Sequence, residues 1–173
     1  LLNGVSKLKQ GDPLDDSVDV GPMIRESDAI RAYDWVQEAV RGGARLLVGG
    51  KRNGSMLEPT VLTGTRPEMK VNCQEIFAPV VTVEAYDTFD QALRVLNNSP
   101  YGLQAGVFAG DAKLLFQAYE ELEVGAVVAG DVPSFRIDHM PYGGVKDSGL
   151  GREGLRYAIE EMTEPKLMVM NLR

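Results

Sequence analysis

Two side chains in this sequence could act as nucleophile and base in thiol chemistry. Cys73 is the only cysteine and His139 the only histidine of the chain. A reactive thiolate needs a positioned base and a lowered thiol pKa, and one residue of each type establishes neither. We therefore favour Cys73 as a small, half-buried core residue and His139 as a structural hydrogen-bonding residue. An enzyme that uses this pair remains a minor alternative.

A carboxylate and an aromatic ring, Glu75 and Phe77, lie just before the strongest predicted strand. The carboxylate could accept hydrogen bonds from a sugar diol, and the ring could cover a flat ligand. The alternative is a surface Glu75 and a core Phe77. The pattern alone leaves both interpretations open.

The densest group of polar and aromatic side chains lies in a long loop over residues 130–151. Loops longer than about 12 to 15 residues are usually functional or disordered, and the aromatic content argues against disorder. The loop follows a predicted strand, at the end of the strand where α/β proteins bind ligands. Arg136 could bind an anionic group of a substrate or pair with Asp131 or Asp138. The glycine-rich stretches match no phosphate-binding motif and indicate tight turns.

Composition and charge exclude several classes of protein. The chain has 173 residues, of which 44% are hydrophobic and 25% charged, as is typical of folded domains. Its net charge of −7 repels phosphate backbones, so nucleic acid is not an expected partner. A single cysteine excludes an internal disulfide and, with a single histidine, a Cys/His zinc site. No apolar run is long enough to span a membrane, and we expect a cytoplasmic protein with no membrane partner.

Alternating helical and strand periodicity predicts an α/β fold with a central parallel sheet. Three helices are expected to begin at the capping residues Ser27, Thr88 and Asp111, and a fourth carries the apolar residues of 155–162. The predicted strands cover residues 45–48, 60–62, 79–86, 104–108, 124–129 and 166–170.

Five sequence stretches, taken in order, resemble the aldehyde dehydrogenase superfamily over essentially the whole chain. They are GDPL at 11–14 with GPMI at 21–24, LEPTVL at 57–62, QEIFAPV at 74–80, NNSPYGL at 97–103 and PYGGVKDSGLGREG at 141–154. Two positions depart from the family pattern, with Ala78 where glycine is more usual and Gly130 where asparagine is frequent.

The resemblance covers only the C-terminal part of the family's polypeptide. It implies that the chain begins inside a longer protein, with residues 1–164 in the catalytic domain and 165–173 forming a tail strand. It also implies that the nucleophilic cysteine and the general-base glutamate lie upstream. Cys73 does not match that nucleophile, so no catalytic residue is assigned here. The intact enzyme would oxidise an aldehyde to a carboxylic acid with NAD or NADP, and this chain alone is expected to be inactive.

The resemblance also implies roles for particular residues. Glu75 matches the glutamate that binds the nicotinamide-side ribose, and Phe77 matches the aromatic residue near the nicotinamide. The loop over 131–142 matches the substrate-anchoring loop. Because Arg136 can bind an anionic group and His139 can donate to a hydroxyl, we expect a small polar or anionic aldehyde there. Its candidate substrate-binding residues are Ser134, Phe135, Arg136, His139 and Tyr142.

The end of the chain is expected to take part in assembly. The strand at 166–170 resembles the family's inter-subunit tail strand, which predicts a homodimer or homotetramer. The alternative to an enzyme is a free-standing binding or assembly module that has the fold without the catalysis.

Overall fold

The computed structural model describes residues 1–172. The chain falls into two units, the first Leu1–Ala85 and the second from Tyr86 onward. The sequence does not predict this division. The elements of the first unit are α1 (Leu2–Val5), α2 (Glu26–Arg41), β1 (Arg45–Val48), β2 (Arg52–Asn53), β3 (Met56–Leu57), β4 (Thr60–Thr63), α3 (Lys70–Cys73) and β5 (Val80–Thr82).

The core of the first unit lies between α2 and a three-stranded sheet. Helix α2 buries three alanines and Val36. Of the apolar residues that the sequence places on one face of this helix, Val36 is buried and Ile30 is exposed. Strand β4 is central, antiparallel to β1 and parallel to β5, with Thr60 opposite Val80. Val36 and Leu62 are fully buried in the shared core cluster, and Ile76 packs against it. The segment that contains Glu75 and Phe77 connects α3 and β5, which both contribute residues to this core.

The start of α2 differs from the prediction. The helix begins at Glu26, and the carbonyl of Arg25 accepts the first bonds, from the N–H groups of Asp28 and Ala29. The prediction of Ser27 as the N-cap is therefore wrong. Glu26 and Asp28 stabilise the first turn by their charge, because the N-terminus of a helix carries a partial positive charge.

The strand predicted over residues 79–86 is too long, since β5 ends at Thr82 beside the end of β4. Past that point the Glu84 carboxylate accepts hydrogen bonds from the N–H of Thr65 at 2.7 Å and from its hydroxyl at 2.8 Å. Burial by itself would raise the pKa of Glu84, but these bonds and the nearby charge of Arg45 outweigh burial and lower the pKa of its carboxyl below its usual value.

The second unit contains a parallel strand–helix–strand motif. Its elements are α4 (Phe89–Asn97), β6 (Tyr101–Gly102), β7 (Gln104–Val107), α5 (Ala112–Glu121), β8 (Ala126–Ala129), β9 (Val145–Lys146) and α6 (Leu155–Met162). Strands β7 and β8 are parallel, with Gln104 opposite Ala126, and α5 connects them. Leu93, Val107, Ala118 and Leu122 form the buried cluster. The α/β class with parallel strands is confirmed.

The predicted caps of α4 and α5 are confirmed. The Thr88 hydroxyl accepts a hydrogen bond from the N–H of Gln91 at 3.2 Å, and the Asp111 carboxylate accepts one from the N–H of Lys113 at 2.9 Å. Each bond satisfies an amide that the helix itself leaves without a partner. These caps fix where both helices begin.

The chain after α6 contains no strand up to residue 172. The strand predicted at 166–170 is therefore absent from this single chain, because an extended segment needs a neighbour for its backbone hydrogen bonds. Leu167 and Val169 are exposed, as are Leu155 and Ile159 on α6. The role of 165–173 in oligomerisation remains a prediction. Among residues 1–172, no helix has the length and apolar character needed to cross a membrane.

Candidate functional site

Phe77 has an unusual backbone conformation in the first unit. Its φ angle is +48°, in the left-handed region that residues with a side chain rarely adopt, and its side chain is 72% exposed. Such a conformation costs on the order of 1–3 kcal/mol, and it persists only where the surroundings fix it. The exposed ring recovers little of that cost by burial, so the interpretation of Phe77 as a core residue is wrong.

The residues on either side of Phe77 are anchored. The carbonyl of Ile76 accepts a hydrogen bond of 2.9 Å from the Arg31 guanidinium, which lies 4.7 Å from the centre of the Trp35 ring. On the other side, the carbonyl of Pro79 accepts a hydrogen bond of 2.8 Å from the N–H of Thr60. The segment is thus held to α2 and to β4, and its ring is presented to solvent.

Glu75 lies two residues before this ring and is exposed. Within residues 1–172, its carboxylate makes no ion pair and no hydrogen bond, so both oxygens can accept from a ligand. A carboxylate and a flat ring on one anchored segment suit a nucleoside, whose ribose supplies two hydroxyl donors and whose base supplies a planar face. The residues present therefore fit the ribose and nicotinamide of a dinucleotide.

The predicted substrate loop in the second unit is attached at two places. Near its start, the side-chain amide of Gln104 donates hydrogen bonds to the carbonyls of Pro133 and Phe135, at 2.8 and 3.0 Å. At its end, Tyr142 and Glu153 exchange backbone hydrogen bonds, with the Tyr142 N–H donating at 3.0 Å. The loop is therefore an ordered structure, as predicted.

Arg136 lies in the middle of this loop and is surrounded by polar groups. Its Nη2 donates to a carboxylate oxygen of Glu153 at 3.2 Å, and its Nη1 is 3.9 Å from an oxygen of Asp138. The guanidinium also lies 5.0 Å from the centre of the Tyr142 ring. Of the two acidic partners that the sequence suggests, the structure supports Asp138. The sequence misses Glu153 because the pairing crosses a long stretch of chain.

The other candidate substrate residues are exposed along the same loop. Ser134 and His139 make no side-chain hydrogen bond to any residue in the range 1–172, and Phe135 is 45% exposed. They are therefore available to a ligand, and their roles remain predictions. Cys73 lies in the first unit, half-buried, with Sγ 3.5 Å from the carbonyl of Glu68.

The glycine-rich stretches form turns around a pocket of about 370 Å³ that the sequence did not predict. Gly143, Gly151, Arg152 and Glu161 are among its lining residues. Gly151 has a φ angle of +72°, which confirms the interpretation of tight turning at this position. The part of the chain that the structure describes contains no group of three or more acidic, cysteine or histidine side chains able to hold a metal ion.

Comparison with known proteins gives a consistent result. The model of the aldehyde dehydrogenase family matches residues 1–168. A 3-sulfolactaldehyde dehydrogenase from Priestia aryabhattai is 49% identical over 172 residues, which are 99% of this chain and 36% of that protein. The chain thus spans about a third of the length of the relatives that it matches.

Two crystal structures are also similar. Aldehyde dehydrogenase 21 from Physcomitrella patens, in complex with the reaction product succinate, has a TM-score of 0.95 and 46% identity over 98% of this chain and 35% of its own. Glyceraldehyde-3-phosphate dehydrogenase GapN from Methanocaldococcus jannaschii, complexed with NADP, has a TM-score of 0.89 and 39% identity over 93% of this chain and 35% of its own.

Proposed function

The chain belongs to the aldehyde dehydrogenase family, and on that premise we propose that it is the C-terminal part of an enzyme that oxidises an aldehyde to a carboxylic acid with NAD or NADP. The observation that carries the proposal is the match of the family model to residues 1–168. The share of the relatives that the chain spans supports placing the remaining machinery elsewhere in the complete polypeptide.

Glu75 and Phe77 are the proposed cofactor-binding residues. The Glu75 carboxylate would accept hydrogen bonds from the two ribose hydroxyls, and the Phe77 ring would pack against the planar end of the dinucleotide. The bound nicotinamide supplies the acceptor for the hydride that leaves the aldehyde carbon. What this chain contributes is position, because a small displacement of the reacting atoms costs a large part of the rate.

The nucleophile and the general base of the proposed reaction are not assigned to this chain. Cys73 is half-buried beside the Glu68 carbonyl, and no charged group pairs with its sulfur among the described residues. A thiolate nucleophile is normally stabilised by a neighbouring positive charge or a helix N-terminus. Cys73 is the last residue of the four-residue helix α3 and not at its N-terminus, so it is a poor candidate for that role.

The proposed substrate is a small aldehyde that carries an anionic group. Arg136 offers a planar guanidinium that can bind carboxylate, sulfonate or phosphate through paired hydrogen bonds. Its side chain is 42% exposed, so an anion can reach it. The relatives described above act on or bind molecules with a sulfonate, a carboxylate or a phosphate, which supports the same chemical class here.

The test of the proposed function uses the complete polypeptide that contains this chain. Purified protein should reduce NAD or NADP in step with the loss of an aldehyde and the appearance of the corresponding acid. Binding of the dinucleotide without turnover of any aldehyde would instead favour the non-catalytic module.

We also propose that the complete protein is a homodimer or homotetramer. The apolar tail at 166–170 and the exposed apolar face of α6 support this, because both expose surface that a second subunit could cover. Its cytoplasmic location stays a prediction.

A further inference from the structure

Strand β7 carries a polar side chain, Gln104, that donates hydrogen bonds to the predicted substrate loop. The Nε2 group of Gln104 donates to the carbonyl oxygens of Pro133 and Phe135, the two residues that flank Ser134. Its Oε1 atom is buried and has no hydrogen-bond partner among the described residues. The amide cannot be reversed without placing its oxygen against two carbonyl oxygens, so the loop fixes its orientation.

A second observation places the loop on the same face of β7. Gly106 is two residues from Gln104, and side chains two apart on a strand point to the same side. A Cβ atom at Gly106 would lie 2.5 Å from the carbonyl oxygen of Asp131 and 3.1 Å from the ring of Pro133. The loop backbone therefore fills the space that a side chain at this position would need.

We propose that Gln104 is a positioning residue that sets the location of the substrate loop, and through it the location of Ser134 and Arg136 relative to the aldehyde. The proposal rests on the proposed function for its catalytic consequence. The hold of Gln104 on the loop, which we call the clamp, does not depend on the proposed function, because it is a set of contacts within this chain. Gln104 pairs the loop with the strand, and Gly106 leaves room for the loop to approach.

The buried, unpartnered Oε1 supports the inference. A buried acceptor without a partner is destabilising, so the hydrogen bonds of this side chain are those that its Nε2 group donates to the loop. Two donated bonds from one amide, each to a different loop carbonyl, outweigh that loss only if the loop needs to be held. A purely space-filling role would be served as well by methionine, which has similar length and no unsatisfied acceptor.

The experiment measures amide hydrogen exchange in the complete protein for peptides covering residues 131–139. Gln104→Met keeps the volume and removes both donors, and the loop should then exchange roughly tenfold faster. Gln104→Glu places carboxylate oxygens against the loop carbonyls and should accelerate exchange further. Gln117→Met is the matched control, because its amide donates to Asp90 and Glu121 in the same unit and to no residue of this loop.

A second variant tests the same loop contact without changing Gln104, so the proposal stays testable if Gln104→Met fails to fold. Gly106→Ala leaves Gln104 intact and should also accelerate exchange in the loop. Unchanged loop exchange in Gln104→Met or in Gly106→Ala would overturn the proposal. So would equal effects of Gln104→Met and the Gln117→Met control.

Steady-state kinetics separate the clamp from the proposed function. If both are correct, Gln104→Met should raise the KM for the aldehyde several-fold and leave kcat nearly unchanged, because the residue touches no reacting atom. Faster loop exchange in a protein that turns over no aldehyde would contradict the proposed function and leave the clamp standing. Normal loop exchange in the Gln104→Met variant of an enzyme that turns over aldehyde would contradict the clamp and leave the proposed function standing.

Discussion

The Nη2 group of Arg136, in the predicted substrate loop, donates a hydrogen bond of 3.2 Å to the carboxylate of Glu153, which lies after the loop in the chain. This carboxylate pairs with part of the guanidinium that the proposed anionic substrate would use, so the two would compete. Both side chains are partly exposed, at 42% and 69%, so the pair is of the surface type and worth about 0–1 kcal/mol. An anionic substrate can therefore displace Glu153 at small cost.

Removing this internal competitor should improve the binding of anionic substrates. In the complete enzyme, we expect Glu153→Gln to raise kcat/KM for an anionic aldehyde by up to about fivefold, the equivalent of a surface ion pair. Neutral aldehydes should change little. Glu160→Gln is the control, because Glu160 pairs at 2.8 Å with Arg156, on the same unit and outside the loop. Equal changes for both variants would show that Glu153 does not compete with substrate.

The Glu75 carboxylate should control the rate of hydride transfer. Glu75→Gln leaves one acceptor oxygen instead of a charged pair, so the ribose and the attached ring are held less firmly. We expect hydride transfer to slow by on the order of 100-fold and to become rate-limiting. A deuterated aldehyde would then give a larger kinetic isotope effect than with the wild-type enzyme.

Glu68→Gln is the matched control for that measurement. Glu68 lies in the same unit and its hydrogen bond with Arg66 at 2.6 Å lowers the pKa of its carboxyl, but it is not part of the proposed cofactor site. If Glu75→Gln keeps the wild-type rate and isotope effect, Glu75 is only a surface residue.

Because the backbone of Phe77 is strained, two substitutions can separate its effect on stability from its effect on dinucleotide binding. Phe77→Ala and Phe77→Gly both remove an exposed ring, but only glycine adopts a φ angle of +48° without strain. The glycine variant should therefore be more stable than the alanine variant by about 1 kcal/mol, measured by chemical unfolding. Both should bind the dinucleotide more weakly than wild type. If neither variant binds the dinucleotide more weakly than wild type, Phe77 is not part of the proposed site.

The apolar tail should be required for assembly. Leu167 is 86% exposed and Val169 82% exposed in the single chain, and unpaired apolar segments of this kind promote association. Deletion of residues 165–173 from the complete protein should dissociate or precipitate it, as measured by sedimentation. A soluble and fully associated deletion variant would show that the tail does not join the subunits.

Local sequence signals predicted where two helices of the second unit begin. Thr88 and Asp111 cap their helices as expected, because an N-cap depends on residues only two or three positions away. The ordered loop between β8 and α6 was also predicted, from its length and its aromatic residues. The resemblance to the family selected Glu75, Phe77 and Arg136 as candidates.

Contacts between distant parts of the chain were not predictable in the same way. The bond between Gln104 and Phe135 joins residues 31 positions apart, and the pair of Arg136 and Glu153 spans 17. No periodic pattern encodes such pairings. The positive φ angle of Phe77 was missed as well, because it results from anchors on both sides of the residue and not from its own preference.

The proposed selection of anionic aldehydes by Arg136 can be tested with two aldehydes that differ in one charged group. The complete protein and its Arg136→Ala variant are assayed with succinic semialdehyde and with butanal, which has the same carbon chain without the carboxylate. We expect the substitution to lower kcat/KM for the anionic aldehyde roughly 10- to 100-fold and to change the value for butanal little. A wild-type preference for butanal, or an equal loss with both aldehydes, would contradict the proposed selection.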